Sequence, residues 1–253
     1  MWRNTFRADL DELAQGAPAD VAGLPAARRT RRPGVGRGKL AEDGPVLPVI
    51  SVDTRKKDLV GPFRNGGREW RPKRNPEKVN AHGNITADKG RVSVGTDNDT
   101  ASFAAESVRR WWINTGRPLF NGAGGLPVTT AGGSNSGRNH LWKLELQRLA
   151  DEIGMNISAC HFPPGTSKWN KIEHLMFRHI SRNWPGRPLV SRQVVVELIA
   201  ATTTRSGLKI RSKIDDGQYP LGVKVSDEQM EELNIRHRGF HGQWNYTLIN
   251  RQF

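Results

Sequence analysis

Short apolar runs alternate with amphipathic helical patterns along most of this chain, and this alternation restricts its fold more than any other feature. Four runs are apolar, contain β-branched residues and are too short for buried helices, so each predicts a strand. They span residues 46–53, 91–95, 126–130 and 155–160. Strands that alternate with helices indicate an α/β sheet covered by helices. We place this domain at residues 46–205, with residues 206–253 as a C-terminal extension of its core.

Capping residues mark the ends of the helical patterns between and after these strands. Small polar side chains at a helix start accept hydrogen bonds from backbone N–H groups that lack helical partners, and glycine commonly ends a helix. Ser226 and Gln229 have the spacing of a capping box. The other candidate caps are Asp99 or Thr100, Thr166 or Ser167, Ser191 and, at a helix end, Gly154.

The segment of residues 161–184 joins a strand to a helix with a candidate functional carboxylate. Pro163 and Pro164 end the strand because proline lacks a backbone donor. Glu173 lies at the edge of the apolar helix face, where packing holds a carboxylate beside a cleft; the alternative is a solvated helix residue. That face is predicted from helical spacing to contain Trp169, Ile172, Met176 and Ile180.

Asp53 is a second candidate, since it stands where the first apolar run ends. The carboxyl ends of central strands face the crevice in which α/β sheets place their sites. Asp53 therefore fits a site residue, although it also fits a cap for the following turn.

The glycine-rich residues 131–138 lie between a predicted strand and a predicted helix, as in a phosphate-binding P-loop. A P-loop continues with lysine and then serine or threonine, which reach the phosphates and the magnesium ion. Arg138 and Asn139 occupy those positions. Nucleotide binding is therefore the least favoured of the functions that we consider.

The chain has 39 lysines and arginines against 25 acidic residues, a net charge of +14. Such an excess suits a polyanionic partner, DNA or RNA first, although a basic protein without such a partner fits it too. A single cysteine, Cys160, excludes an intrachain disulfide and predicts a reducing compartment. No secretion signal or membrane span is evident, so we expect a cytoplasmic protein without membrane contact.

Residues 1–45 have a different composition from the rest of the chain. They combine Gly, Pro and Ala with a basic run, RRTRRPGVGRGK at residues 28–39. Few apolar residues and many like charges predict a flexible, disordered basic arm. The arm either lies along phosphates or is a tail without function.

The sequence CHFPPGTSKWNKIEH, residues 160–174, resembles the third catalytic block of bacterial insertion-sequence DDE transposases of the Rhodopirellula type. Five further blocks resemble the same family in the same order, which is far more specific than one short motif. They are ISVDTRKK (50–57), VSVGTDNDT (92–100), LWKLEL (141–146), AATTTR (200–205) and FHGQWNY (240–246). The resemblance implies a ribonuclease-H-like mixed sheet flanked by helices, and DNA strand cleavage and transfer.

The resemblance also implies site residues, a cofactor and partners. Asp53 and Glu173 match the first and last catalytic carboxylates, which hold two Mg²⁺ or Mn²⁺ ions in such enzymes. The implied partners are the DNA of the element ends and target, bound by a homo-oligomer. Basic residues beside these motifs, taken as DNA contacts, are Arg55, Lys56, Lys57, Lys168 and Lys171.

Three departures from the family pattern predict an impaired copy. The helix-turn-helix region expected ahead of the core is absent, so we expect a truncated chain. Few residues join His82 to Arg91, which predicts an internal deletion and a missing or weakened core strand. Thr130 stands at the position of the second aspartate, and neither Thr129, Ala131, Asp97 nor Asp99 is expected to replace it. The prediction is an impaired transposase, with a non-catalytic DNA-binding remnant as the alternative.

Overall fold

The computed structural model describes residues 47–59, 78–86, 88–163, 165–166, 169–184 and 189–251. The predicted basic arm, residues 1–45, lies outside these residues. So does most of a second short strand that the apolar run at residues 59–63 suggests; its first residue, Leu59, ends the first strand instead. In the described part of the chain no helix is long and apolar enough to cross a membrane.

The described residues contain eight strands: β1 (Ile50–Leu59), β2 (Lys78–Thr86), β3 (Lys89–Gly95), β4 (Gly125–Thr130), β5 (Asn156–His161), β6 (Lys209–Asp215), β7 (Ile235–His237) and β8 (Asn245–Leu248). They form one mixed sheet in the order β6-β3-β2-β1-β4-β5-β8-β7. Strands β1, β2 and β3 make an antiparallel meander, β4 and β5 run parallel to β1, and β6 runs parallel to β3. Strand β8 pairs antiparallel with both β5 and β7.

Helices cover both faces of the sheet. Two segments depart from α-helical geometry and form π-helical turns, Trp112–Gly116 and Glu173–Phe177. The α-helices are α1 (Ala101–Trp111), α2 (Arg117–Leu119), α3 (His140–Ile153), α4 (Arg178–Arg182), α5 (Arg192–Ala200) and α6 (Asp227–Glu231).

Each face of the sheet has its own apolar core. On one face α1 and α3 pack Trp111 and Trp142, both fully buried, against Val52 and Val128 of the sheet. On the other face the π-helical turn Glu173–Phe177 and helix α5 pack against β2 and β3, with Ile172 and its helical neighbours buried. Alternate residues of β1 therefore serve different cores, which places Ser51, Asp53 and Arg55 on the second face.

The predicted caps are mostly confirmed. Thr100, not Asp99, caps α1 by accepting from the N–H of Phe103. Gly154 ends α3 in the left-handed region at φ 67°, and Ser226 and Gln229 form the predicted capping box on α6. Ser191 caps α5. The four predicted strands correspond to β1, β3, β4 and β5, with ends that differ by a few residues.

The expectation of a missing core strand is wrong. Residues 78–80 begin β2, and β2 pairs with β1 on one side and β3 on the other. A tight turn with Asp88 at φ 59° joins β2 to β3 directly. The short connection after His82 is therefore a hairpin, and the meander has all three strands.

Residues after 205 complete the sheet at both ends. They contribute β6, which pairs with β3, and the β7–β8 pair, which lies beside β5. An antiparallel meander followed by parallel strands, with helices on both faces, is the ribonuclease-H-like arrangement that the resemblance implies. The predicted fold class is confirmed.

Candidate active site

Asp53 lies where the parallel pairing of the central strands ends. The last paired residues of β1 and β4 are Val52 and Thr130. The next residue of β1 is Asp53, and β1 continues to Leu59 against β2 rather than ending at the aspartate as predicted. Because β4 stops while β1 continues, Asp53 faces the opening at the carboxyl edge of the sheet.

A buried asparagine, Asn170, joins the segment of residues 160–174 to β1, the strand that carries Asp53. The Asn170 amide donates to the Val52 carbonyl at 3.0 Å and to Oδ2 of Asp53 at 3.1 Å. The Ser51 hydroxyl donates to Oδ1 of Asn170 and accepts from the N–H of Ile172 at 3.2 Å. Hydrogen bonds between buried groups of one network orient each other, so Asp53 has one fixed rotamer.

Glu173 begins the π-helical turn three residues after Asn170 and is half-buried. Single π-helical turns occur preferentially at functional sites. The turn packs closely on the sheet because Gly83, the partner of Asp53 on β2, has no side chain. A Cβ at Gly83 would lie only 2.5 Å from Met176 and 2.6 Å from the Phe177 ring. Glycine at this position therefore allows the turn to bring Glu173 towards Asp53.

Burial raises the pKa of both carboxylates, and the charge of Glu173 also acts on Asp53. Burial raises the pKa of Asp53 to about 6, against the lowering effect of hydrogen bonds from the Thr54 N–H and Asn170, and the charges of Glu173 and Asp99 raise it further. Burial also raises the pKa of Glu173, while His174 and Arg55 lower it. Carboxylates whose charged forms are disfavoured in a cleft are typical of catalytic or cation-binding positions.

The predicted DNA contacts occupy different environments. Arg55 is buried: its guanidinium stacks 3.7 Å above the Trp184 ring and donates to Ser181 at 3.1 Å. This arrangement joins β1 to α4 and leaves less of the guanidinium for a phosphate. Lys171 is exposed beside the site. The side chains of Lys56 and Lys57 and all of Lys168 lie outside the described residues.

No carboxylate of β4 stands beside Asp53. By the alternation of the strand, Thr130 shares the face of Val52, where it is fully buried and its hydroxyl has no partner among the described residues. Ala131 is the first position of this segment on the face of Asp53, and it packs with Phe162 and Cys160. The family pattern places the second aspartate at Thr130, whereas the strand register places Ala131 on the face of Asp53. Neither residue supplies an acidic group.

Sequence reasoning missed a polar cluster on the opposite face of the same edge. His82 is fully buried, with Nε2 2.8 Å from Oδ1 of Asp99, 3.1 Å from the Thr54 hydroxyl and 3.2 Å from the Ser134 hydroxyl. The cluster holds the glycine-rich turn over the strand ends. No local pattern indicates it, because its members come from four separate segments.

Two amides at the start of the helix that follows the glycine-rich turn are bonded to a side chain, unlike those of a P-loop. Gly132 and Gly133 have φ of 127° and 72°, a region that disfavours other residues. Asn139 caps α3 by accepting from the N–H groups of Leu141 and Trp142, and it donates to the Ser134 carbonyl. These helix-terminal amides, which would face a phosphate, are already satisfied.

The donor set fits one divalent ion but not a pair. Magnesium keeps several waters and needs only one or two protein carboxylates, and Asp53 and Glu173 are two candidates. Among the described residues no three His, Cys, Asp or Glu side chains converge. A second ion needs a further carboxylate ligand, and neither Thr130 nor Ala131 supplies one.

A ribonuclease-H-like sheet with an aspartate on its central strand, at the carboxyl edge of the parallel strands, is typical of enzymes that act on nucleic acids. Residues 39–250 match the family described as the Rhodopirellula transposase DDE domain. The chain therefore belongs to this family of DDE transposases. No curated protein and no solved structure matches the chain.

Proposed function

We propose that this chain is a DDE transposase copy that binds insertion-sequence DNA and is impaired in strand cleavage and strand transfer. Membership of the family supports DNA as the partner and divalent metal as the cofactor. The observation that carries the impairment is the absence of a carboxylate at both Thr130 and Ala131. Assembly as a homo-oligomer on DNA, in the cytoplasm beside the nucleoid, is part of this proposal.

The residues of the site have distinct roles in this proposal. Asp53 and Glu173 would hold one Mg²⁺ or Mn²⁺ ion, which would lower the pKa of an attacking hydroxyl and stabilise charge on the phosphate. Asn170 and Ser51 keep the Asp53 carboxylate in a fixed orientation. Lys171 is exposed beside Glu173 and contacts the DNA backbone.

Manganese-dependent nicking of supercoiled plasmid tests the impairment. We expect the natural chain to nick far more slowly than a variant with a restored second carboxylate. Both Thr130→Asp and Ala131→Asp are made, because the family pattern places the second aspartate at Thr130 and the strand register favours Ala131. Glu173→Gln is added to the active variant as a control for contaminating nucleases. It removes a carboxylate of the proposed site, so nicking by this protein should stop while nicking by a contaminant should continue.

Three outcomes are informative. Activation by one aspartate variant supports the proposal and identifies the second position. Rapid nicking by the natural chain that Glu173→Gln abolishes contradicts the impairment and assigns full activity. If neither folded aspartate variant nicks the plasmid, one added carboxylate does not restore the site. That result favours the second candidate function, a non-catalytic DNA-binding remnant. No observation favours the P-loop alternative, because the amides at the start of α3 are bonded to Asn139.

A further inference from the structure

The edge strand β6 exposes a row of cations on one face. Lys209, Arg211 and Lys213 alternate with Ile210, which is buried in the core beneath α5. In the parallel pairing of β3 with β6, Lys89 lies beside Lys209 and Arg91 beside Arg211. We call these five basic residues the cationic edge: Lys89, Arg91, Lys209, Arg211 and Lys213.

The cationic edge places like charges against each other. Like charges directly opposite on neighbouring strands are destabilising. Arg91 is only 8% exposed and its Nε is buried without a partner among the described residues. Burial lowers the pKa of Arg91, and the positive charges of Arg110 and Arg211 lower it further. An anionic ligand would relieve this repulsion.

The nearest carboxylates are mostly engaged elsewhere. Asp215 at the end of β6 accepts from Arg110 at 3.0 Å and from the Tyr219 hydroxyl at 2.9 Å. Glu106 accepts from Arg110 at 2.6 Å. Asp88 and Asp216 flank the two ends of the row and are exposed. The middle of the cationic edge, where Arg91 meets Arg211, has no carboxylate partner among the described residues.

We propose that the cationic edge binds the phosphate backbone of duplex DNA. The choice of DNA over another polyanion rests on the proposed function. Alternate residues of a strand lie roughly 6.6 Å apart, so the three exposed cations of β6 span roughly 13 Å. That length covers about four phosphates at 3.4 Å per strand. Arg211 donates to the Asn114 carbonyl at 3.3 Å, which holds its guanidinium in place.

The cationic edge is separate from the candidate active site at Asp53 and Glu173. In the sheet order β6 stands three strands from β1, roughly 14 Å at the usual strand spacing. It also faces the other side of the sheet, because Arg91 pairs with Asn84, whose amide bonds to Ser107 of α1. The cationic edge would therefore hold DNA that flanks the reacting phosphodiester.

Salt-dependent binding of a fluorescent 30-base-pair duplex tests this proposal. The variants are the pair Lys209→Gln/Lys213→Gln and, separately, Arg211→Gln. The matched control is Arg236→Gln/Lys224→Gln, which removes two exposed cations from β7, the opposite edge strand, and from a loop. Circular dichroism establishes that each variant is folded. Inorganic polyphosphate serves as a second probe without bases or sugars.

We expect the β6 double variant to bind the duplex about tenfold more weakly at 100 mM salt. The slope of log affinity against log salt falls by about 0.9 for each phosphate that the protein no longer neutralises, so by about 2 for the two lysines. An equal change in the control, or none in the β6 variants, overturns the cationic edge and leaves the proposed function standing. Polyphosphate binding that depends on β6, without duplex binding by any form, instead overturns DNA as the partner in both proposals.

Discussion

Asn170 bonds directly to Asp53 through a 3.1 Å contact between its amide nitrogen and Oδ2, although 117 residues separate them in sequence. The same amide donates to the Val52 carbonyl, and the Ser51 hydroxyl donates to the asparagine oxygen. Asn170 is fully buried. The Asn170 side chain therefore connects β1, which carries Asp53, to the π-helical turn that begins at Glu173.

Replacement of Asn170 by alanine should loosen this connection. We expect the free energy of unfolding to fall by about 2–4 kcal/mol, because buried groups of Ser51, Val52 and Asp53 lose their partner. The pKa of Asp53 should rise above about 6, since the asparagine bond lowers it. Urea denaturation and NMR titration of Asp53 measure the two effects.

The matched control for this variant is Asn121→Ala, in an exposed loop. It should change the free energy of unfolding by less than about 0.5 kcal/mol. If Asn170→Ala were equally mild, the amide would not connect the strand to the helix, and the orientation of Asp53 would have another cause.

Local patterns predicted much of the fold because they depend on near neighbours. The caps Thr100 and Ser226, the left-handed Gly154 and the buried face that includes Ile172 follow from residues a few positions apart. Local patterns made Asp53 and Glu173 candidates but left a turn cap and a solvated helix residue as open alternatives, and only the resemblance favoured the functional interpretation.

Other features depend on interactions between distant segments and leave no local signal. β2 contains asparagine, glycine and histidine, so its sequence favours a loop, but pairing with β1 and β3 on both sides outweighs that propensity. The role of Gly83 depends on the rings and thioether that pack over it. The hydrogen bond between His82 and Asp99 joins the middle of β2 to the segment ahead of α1, two parts of the chain that no local pattern relates.

Thr130→Val should stabilise the protein or leave its stability unchanged. The Thr130 hydroxyl is fully buried and has no partner among the described residues, so its removal eliminates an unsatisfied group, with an expected gain of about 1 kcal/mol. The neighbouring control is Thr129→Val, which loses a donor to the Ile50 carbonyl at 3.3 Å and should cost about 1 kcal/mol. Chemical denaturation compares both with the natural chain. A loss of stability in Thr130→Val would show that its hydroxyl has a partner.

Asp53→Asn should stabilise the protein without metal and remove its response to metal. Burial raises the pKa of Asp53 from 3.8 to about 6, so its charge destabilises the fold as pH rises through that interval. At pH 7.5 in EDTA we expect a gain of about 2 kcal/mol, and below pH 3.8 no gain, because both states are then protonated.

Manganese provides the second part of the Asp53 test. It should raise the melting temperature of the natural chain and not that of Asp53→Asn, because the variant lacks a carboxylate ligand. Asp216→Asn, an exposed neutralisation on the loop after β6, should retain the manganese response. Equal shifts in all three proteins would place the metal elsewhere.

His161 should make the fold sensitive to acid. It is buried beside Tyr246, with Nε2 3.0 Å from the Tyr246 hydroxyl. Burial, then the charge of Lys143, lowers its pKa from 6.5 to about 3. Because the unfolded chain takes up a proton at higher pH than the folded chain, stability is present above pH 6.5 and is lost as pH falls towards 3. The loss is at most about 1.4 kcal/mol per pH unit.

His161→Phe keeps a ring in this position and removes the titrating group. Urea denaturation between pH 6 and pH 4 should give a slope of stability against pH that is smaller by about 1.4 kcal/mol per unit than in the natural chain. His140→Gln, at the exposed start of α3, should keep the natural slope. A slope that His161→Phe does not change would mean that carboxylates alone cause the acid sensitivity. The buried imidazole would then take up its proton at similar pH in the folded and unfolded chains.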